Sequence, residues 1–435
     1  MSALIQKIEA QQILDSRGNP TVEAKVFLSD GSIGIASVPS GASTGDKEAI
    51  ELRDTENPNW CNKGVSLAVK NIEEIIAPKL HNLSPFNIKK IDTTMNQLDG
   101  TKNKSKLGAN AILAVSLATL KSGAISKRIS LFEYLSQIYL KEKTNYTDSQ
   151  DYLMPTPMMN ILNGGSHADN NVDIQEFMIM PVNFSTYSDA LRCGTEIFHQ
   201  LKKTLKEKGY NTGIGDEGGF APNLRSNKEA LDLIMIAIKK AGYLPGKDVF
   251  LALDVAASEF YNKDSKEYFL ESEQKKLSSK ELINYYKSLC KDYPIISIED
   301  GIDQNDWDGW QALNLTLGEK IQIVGDDLTV TNPDLLKKAI EKKAMNAILI
   351  KLNQIGTFTE TLESILLAKK YNFKTIISHR SGETEDTVIA DLAVGVNAGQ
   401  IKTGSLCRTD RTAKYNQLLR IEKELGDKAK YSIKD

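Results

Sequence analysis

Two kinds of periodicity divide the first part of the chain into strands and helices. Apolar and polar residues alternate over residues 21–28, and the alternation resumes over residues 32–38 after an Asp-Gly turn. This pattern predicts a β-hairpin. Over residues 66–80 and 108–120 the apolar residues instead recur at helical spacing, so we expect two helices close to the hairpin in the chain.

From residue 249 onward the chain repeats short apolar runs that each end at a titratable side chain. Counted from the second of these side chains, the spacing is 23 to 28 residues, about the length of a strand, a helix and two loops, and the intervening stretches 333–343 and 359–370 are amphipathic. Alternating strands and helices indicate a parallel barrel, whose enzymes place their chemistry at the carboxyl ends of the strands. One such residue could simply end a strand at the surface, but six in matching positions indicate a site. They are Asp254, Glu299, Asp326, Lys351, His379 and Lys402.

The stretch between these two regions has a different composition. Residues 141–151 contain no aliphatic side chain, so we place a domain boundary there.

Composition and charge exclude several classes of protein. The 435 residues are 41% apolar and 26% charged with a net charge of −3, which is typical of a globular protein and gives no basic excess for nucleic acid. No apolar run approaches the roughly 18 residues of a membrane span, and the N-terminus lacks the apolar core of a secretory signal. The four cysteines lie far apart, which favours reduced thiols in a cytoplasmic protein.

Three of the strand-end residues are carboxylates: Asp254, Glu299 and Asp326. Buried carboxylates repel one another unless a cation lies between them. A set of oxygen ligands without Cys or His suits Mg²⁺ or Mn²⁺ better than zinc. We therefore predict a site for a hard divalent ion.

Lys351 follows a buried run at the predicted barrel mouth. A lysine in such a place can form a Schiff base or act as a general base. Metal cations and Lys402 close by would lower its pKa by repulsion between like charges, which makes a base near neutral pH. The alternative is a lysine that extends from the barrel into solvent.

Residues 211–222 contain a literal G-x-G-x-x-G pattern, but it does not follow a buried strand or open a helix, as a dinucleotide site requires. We expect instead a loop that holds Asp216 and Glu217 against a ligand, with a plain surface turn as the alternative.

His167 and His379 lie in two other segments of small polar residues, and Arg380 with Ser381 could bind a phosphate or carboxylate. The glycine-containing segment 39–45 is a candidate lid, or a simple linker.

Twelve motifs in order along the chain resemble the enolases, the glycolytic dehydratases of 2-phosphoglycerate, and most closely their bacterial members. The resemblance runs from Ile5 to about Gly426 and rests on DSRGNPTVE (15–23), PSGASTG (39–45), LGANAILAVSLA (107–118), NGGSHAD (163–169), QEFMIMP (175–181), GDEGGFAPN (215–223), ALDVAASEF (252–260), SIEDG (297–301), GDDLTVTNP (325–333), KLNQIGT (351–357), SHRSGETED (378–386) and IKTGS (401–405).

This resemblance implies an α/β fold in two domains. The expected arrangement is an N-terminal α+β cap domain over residues 1–140, a linker over 141–152, and a C-terminal eight-stranded barrel of the enolase type, similar to a TIM barrel, over 153–435. The family's barrel has an early antiparallel strand, which would explain why the regular spacing begins only late.

The resemblance also implies a reaction, the Mg²⁺-dependent, reversible dehydration of 2-phosphoglycerate to phosphoenolpyruvate in glycolysis and gluconeogenesis. Lys351 is the implied base at C2, and Glu217 is the implied acid at the departing hydroxyl, assisted by Glu176. Asp254, Glu299 and Asp326 are the implied ligands of one Mg²⁺, and Ser43 of a second, with Mn²⁺ as a substitute. The remaining implied site residues are His167, which is grouped with the catalytic residues, and the substrate-binding Gln175, His379, Arg380, Ser381 and Lys402.

Two alternatives remain open. A racemase or cycloisomerase of the same superfamily would share the three carboxylates but would normally have a K-x-K base where this chain has Gly215-Asp216-Glu217-Gly218. A non-catalytic binding role, with a cell-surface or secreted pool, is the second. We expect a homodimer or an octamer of dimers, a small-molecule substrate, and neither a nucleic-acid partner nor a membrane span.

Overall fold

The computed structural model of the chain describes residues 3–41, 45–143 and 151–431. Its N-terminal part contains an antiparallel sheet of Ile5–Leu14, Pro20–Leu28 and Ile33–Ser37, in that order. The last two strands are the predicted hairpin. The C-terminal part is a closed barrel of eight strands, so the predicted fold class is confirmed.

All but one of the barrel strands run in the same direction. The second strand is antiparallel to both of its neighbours, and every other adjacent pair is parallel. The expected early antiparallel strand is therefore confirmed. In chain order the strands are Thr156–Asn163, Glu176–Pro181, Val249–Asp254, Ile295–Glu299, Gln322–Gly325, Ala347–Ile350, Lys374–Ser378 and Gly399–Lys402.

The last six barrel strands coincide with the apolar runs found in the sequence, but the first two were not predicted. Thr156–Asn163 and Glu176–Pro181 are buried at every position, so they show no alternation, and a loop rather than a helix connects them.

Side chains from six strands fill the barrel interior as a packed core. They are Met158, Met178, Met180, Ala252, Val324, Ala347, Leu349 and Ile376.

Helices surround both parts of the fold. The predicted helix over residues 66–80 is Ser66–Asn71 and Ala77–Leu80 joined by the π-helical turn Ile72–Ile76, and the other cap helices are Ile88–Asp99, Ala109–Lys127 and Leu131–Glu142. The helices of the barrel region are Tyr187–Glu207, Asn227–Lys240, Ser279–Asp292, Trp307–Leu317, Pro333–Glu341, Leu352–Ile355, Phe358–Lys370, Val388–Gly395 and Thr409–Leu425. Short pieces add a small sheet of Tyr261–Asn262, Glu267–Leu270 and Lys275–Leu277, the strand pair Tyr152–Leu153 and Ala429–Lys430, and four 3-10 turns at Asn59–Asn62, Gly165–His167, Ala257–Phe260 and Gly426–Lys428.

Helix Ala109–Lys127 is more apolar than the sequence analysis allowed. By length and composition alone it could cross a membrane, but 83% of its most apolar 18-residue window is buried within the fold. It contacts the cap sheet on one side and helices Leu352–Ile355 and Phe358–Lys370 of the barrel on the other. A helix covered on both sides is apolar all round.

Polar side chains hold the cap against the barrel. Lys121 contacts Asp386 at 2.6 Å, and Lys104 contacts Glu360 at 2.9 Å. The expected linker, residues 141–152, lies largely outside the described residues, because the structure does not describe residues 144–150. The exact domain limits therefore stay predictions.

Asp92 makes this interface sensitive to pH. Its carboxylate accepts hydrogen bonds from the backbone N–H (2.9 Å) and hydroxyl (2.6 Å) of Thr359, yet full burial raises its pKa to about 6, against the opposing effect of these hydrogen bonds. The pKa of Asp92 is higher in the folded than in the unfolded chain, so its protonated carboxyl favours folding. This contribution to stability is fully present below about pH 4 and is lost as the pH rises from about 4 to 6. Asp92→Asn should therefore stabilise the protein at pH 7 by about 1–3 kcal/mol, measured by denaturant unfolding.

Asp386→Asn is the matched control at the same interface. Lys121 and two backbone N–H groups hold the pKa of Asp386 below its usual value in spite of burial, so loss of its charge should destabilise the protein. Equal destabilisation by both variants at pH 7 would show that Asp92 is needed as a carboxylate, contrary to this prediction.

Candidate active site

The barrel brings the predicted residues to one end. Because the second strand is antiparallel, its first residue, Glu176, lies at the end where the other strands finish. There it pairs with Asp254, which in turn pairs with Glu299 on the fourth strand. Glu176 was expected here only because of the family resemblance. The direction of the strand now gives the physical reason for its position.

Lys402 lies at the centre of these carboxylates. Its Nζ is 2.8 Å from Asp254, 2.9 Å from Glu299 and 3.1 Å from Glu176. Burial alone would lower the pKa of Lys402, but the carboxylates outweigh this effect and raise it well above its usual value. Lys402 is therefore a fixed positive charge of the site.

Lys351 contacts Asp326 directly. Burial alone would lower its pKa, but Asp326 outweighs burial, so the pKa of Lys351 is raised. The lowered pKa expected from the sequence depends on metal cations close to Lys351, so it stays a prediction for the metal-bound site. Gln354 donates to the other oxygen of Asp326 at 2.7 Å.

Two further carboxylates belong to this side of the site, and the sequence analysis missed both. Asp300 accepts the backbone N–H groups of Asp326 and Asp327, each at 2.9 Å. Carboxylate oxygens of all three residues lie within 4.8 Å of one another. A signal was present in the sequence, because each of the motifs SIEDG and GDDL has a second acid beside the predicted ligand.

A second group of titratable side chains faces Lys351 across the barrel. Lys351 follows the sixth strand and Glu176 begins the second, four strands away in a barrel of eight. Nδ1 of His167 lies 3.5 Å from Oε1 of Glu176 and 3.7 Å from Oε1 of Glu217. Burial lowers the pKa of His167, which favours the neutral ring.

Glu176 and Glu217 have opposite pKa shifts. Burial, together with the nearby Glu217, raises the pKa of Glu176 well above its usual value. Burial would also raise the pKa of Glu217, but its close contacts with His379 and His167 and the charge of Arg411 outweigh burial and hold that pKa well below the usual range. When the pair holds one proton, that proton therefore resides mainly on Glu176.

The loop around Glu217 is fixed by its neighbours. Asn160 donates to Oε2 of Glu217 at 3.0 Å, and Nε2 of His379 lies 3.3 Å from the same oxygen. The carbonyl of Glu217 accepts the backbone N–H of Ser405 at 2.9 Å. Residues 211–222 therefore place Glu217 in the cavity, whereas Asp216 meets its neighbours through its backbone, and contact of this loop with a ligand stays a prediction.

Arg380 and Ser381 lie on the same rim, after the seventh strand. Glu48 of the cap holds the guanidinium of Arg380 through both oxygens, at 2.8 and 3.1 Å, and Asn353 accepts a further hydrogen bond at 3.1 Å. Glu48 was not predicted from the sequence. The only sign of its role was its position just after the glycine-containing segment 39–45.

The remaining predicted residues have different outcomes. Gln175 donates to Asp254 at 3.3 Å and lines the same cavity. Ser43 and two of its neighbours in the candidate lid, residues 42–44, lie outside the described residues. At the start of that segment, Ser40 exchanges backbone hydrogen bonds with Gly382, at 2.7 and 2.9 Å, next to Ser381.

The cavity has more negative than positive groups. Six carboxylates line it against three permanent cations, Lys351, Arg380 and Lys402. Oε2 of Glu176 is buried without a hydrogen-bond partner among the described residues. An excess of buried carboxylate oxygens, with no thiolate among the lining residues, fits a hard divalent cation.

The predicted metal ligands do not form one compact group here. Asp254 and Glu299 both contact Lys402, whereas Asp326 contacts Lys351. Among the described residues, the sets whose ligand atoms lie mutually within 4.8 Å are Asp300 with Asp326 and Asp327, and His167 with Glu176 and Glu217. The chain thus has acidic clusters that could bind metal, and which residues do so stays a prediction.

Comparison with protein families agrees with this architecture on both sides of the predicted boundary. Residues 5–135 match the family model described as the N-terminal domain of enolase. Residues 151–435 match the model described as the C-terminal TIM barrel domain of enolase. The chain therefore belongs to the enolase family and is a lyase of the enolase superfamily.

Proposed function

We propose that this enzyme catalyses the reversible dehydration of 2-phosphoglycerate to phosphoenolpyruvate and water, with Mg²⁺ as cofactor, in glycolysis and gluconeogenesis. The observation that supports this most is the arrangement of the cavity, which has Lys351 on one side and Glu176 and Glu217 on the opposite side. An elimination needs a base at one carbon and an acid at the next, and such an arrangement can serve both atoms of one small substrate.

Asp254, Glu299 and Asp326 are the residues we propose for one Mg²⁺, with Ser43 for a second, and Mn²⁺ could replace either ion. When bound, the two ions would neutralise the charge that accumulates on the substrate carboxylate as the neighbouring carbon loses its proton. Lys402, buried and positively charged, adds to that stabilisation from the protein's side.

Lys351 is the proposed base at C2. It can accept a proton only as the neutral amine, and its contact with Asp326 favours the charged form. The base role therefore requires the charge of Asp326 to be engaged by another partner, which is the ligand role proposed for it. Engagement of Asp326 would then lower the pKa of Lys351, because desolvation and Lys402 both act in that direction.

Glu217 is the proposed acid that protonates the departing hydroxyl at C3, with Glu176 assisting. In the free enzyme Glu176 holds the proton of this pair more strongly, and Oε1 of each carboxyl faces the same nitrogen of His167. A proton held by Glu176 can thus reach Glu217 within a group of three adjoining side chains.

Arg380 and Ser381 are the proposed phosphate ligands, with Gln175 and His379 lining the rest of the pocket. A planar guanidinium suits a phosphate group. Glu48 already pairs with Arg380, so the phosphate must share or displace that carboxylate.

A substrate panel tests this proposal. The protein in Mg²⁺ should form phosphoenolpyruvate from 2-phosphoglycerate, detected by its ultraviolet absorbance, and leave 3-phosphoglycerate and unphosphorylated glycerate unchanged. Inversion at C2 without loss of water would instead support a racemase of the same superfamily.

Assembly, location and a second role rest on the sequence alone and stay proposals. We propose a cytoplasmic homodimer or octamer of dimers, a second pool at the cell surface or outside the cell, and closest kinship to bacterial enolases. Light scattering distinguishes the two assemblies, and fractionation of cells followed by immunodetection measures the pools.

A further inference from the structure

Arg411, on helix Thr409–Leu425, is fully buried beside the acid half of the site. One terminal nitrogen contacts Nδ1 of His379 and donates to the carbonyl of Arg380 at 2.5 Å. The other donates to the carbonyls of Ser381, at 2.6 Å, and Asp216, at 3.3 Å. Arg411 therefore joins the loop after the seventh strand to the loop that holds Glu217.

The position of Arg411 leaves no room for another side chain nearby. Gly404 has a φ of +77°, and a Cβ there would lie 2.7 Å from Cδ of Arg411 and 2.9 Å from the carbonyl oxygen of Glu217. The arginine thus lies in close contact with the backbone at Gly404, and its two terminal nitrogens are held by the carbonyls of Arg380 and Ser381.

The contact with His379 determines which ring nitrogen holds the proton. A guanidinium has five N–H donors and no acceptor, so Nδ1 must be the unprotonated nitrogen. Burial lowers the pKa of His379 to about 3, so the ring is neutral near pH 7 and has one N–H. That N–H is therefore on Nε2.

Nε2 faces Glu217. It lies 3.3 Å from Oε2, the oxygen that also accepts a hydrogen bond from Asn160. Oε2 thus has the amide of Asn160 and the ring of His379 as neighbours, while Oε1 lies toward His167 and, beyond it, Glu176.

We propose that Arg411 is a positioning residue that holds His379 in the Nε2–H tautomer, so that the ring fixes Oε2 of Glu217 and leaves Oε1 for proton transfer. The tautomer follows from the contacts alone, whereas the proton-transfer role rests on the proposed function. Without Arg411, the ring of His379 could exchange tautomers or rotate, and Glu217 would lose one of the two neighbouring groups that hold Oε2.

The first test uses the intact protein. ¹⁵N NMR of histidine-labelled protein distinguishes a protonated from an unprotonated ring nitrogen, and His379→Gln assigns the signals among the four histidines. We expect His379 to be neutral with Nε2 protonated. The Nδ1–H tautomer, or a charged ring near pH 7, would overturn the proposal.

The second test compares Arg411→Met with Arg411→Lys. We expect Arg411→Met to mix the tautomers of His379 and to lower kcat for 2-phosphoglycerate at least about tenfold, because orientation of the acid is lost. KM should rise by a smaller factor, because the carbonyls of Arg380 and Ser381 also lose a donor. Arg411→Lys keeps a charged donor and should restore the tautomer and most of kcat.

Lys414→Met is the matched control, because it removes another buried cation of the same helix, one that contacts Glu383 rather than His379. It should leave the His379 tautomer unchanged. Unchanged tautomer and kcat in folded Arg411→Met would refute the proposal. A parent protein that forms no phosphoenolpyruvate would refute the proposed function and still permit the tautomer measurement.

Discussion

Lys351→Ala should abolish both the dehydration of 2-phosphoglycerate and the exchange of its C2 proton with solvent deuterium. If Lys351 is the base, the variant has no amine on that side of the cavity, where Asp300 already accepts two backbone N–H groups and Asp326 is a proposed Mg²⁺ ligand. Deuterium incorporation measured by NMR, beside phosphoenolpyruvate formation, gives both results from one sample.

Glu217→Gln should separate the two reactions. Loss of the acid should slow departure of the hydroxyl by about 10²- to 10⁴-fold, whereas removal of the C2 proton by Lys351 continues and deuterium still enters the substrate. This outcome requires a stepwise reaction, which Lys402 and the two proposed ions, when bound, would favour by neutralising negative charge on the substrate.

Lys104→Ala and Glu360→Gln control for the loss of a buried charge. The two residues pair at the interface of cap and barrel, so each variant should melt at a lower temperature. The rates of dehydration and of C2 exchange per folded molecule should stay near those of the parent. Exchange at the parent rate in Lys351→Ala, together with loss of exchange in Glu217→Gln, would reverse the two assigned roles.

Neutralising any one proposed metal ligand should lower turnover at least about 100-fold. Asp254→Asn, Glu299→Gln and Asp326→Asn each remove an anionic oxygen from the site where a hard cation needs it, so Mg²⁺ affinity should fall with turnover. Calorimetric titration with Mg²⁺ measures the affinity, and saturating Mg²⁺ should recover part of the turnover.

Asp386→Asn provides the matched control for these variants, because its carboxylate pairs with Lys121 away from the cavity. It should lower stability without changing Mg²⁺ affinity. If Asp254→Asn and Glu299→Gln bound Mg²⁺ as tightly as the parent while Asp326→Asn did not, the compact set of Asp300, Asp326 and Asp327 would become the better candidate for the principal ion.

The sequence predicted those parts of the site that follow from the direction of a strand. Asp254, Glu299, Lys351 and Lys402 each follow an apolar run, and parallel strands in a barrel bring such residues to one end. The first two barrel strands were missed because they are buried throughout and interrupt the strand–helix repeat.

The residues that the sequence analysis missed act through long-range contacts. Glu48 reaches Arg380 across 332 positions of the chain, and Asn160 reaches Glu217 from inside a strand with no polar pattern. The pKa of Lys351 was also beyond sequence reasoning, because its direction depends on whether a carboxylate or a cation is the nearer neighbour.

One Mg²⁺ titration tests the central claim most directly. Protein freed of divalent ions with a chelator is mixed with 2-phosphoglycerate, and phosphoenolpyruvate is followed by its absorbance as Mg²⁺ is added. The account predicts no product before the addition and a rate that rises to saturation with Mg²⁺. Turnover at the full rate in excess chelator, or no product at saturating Mg²⁺, would contradict it.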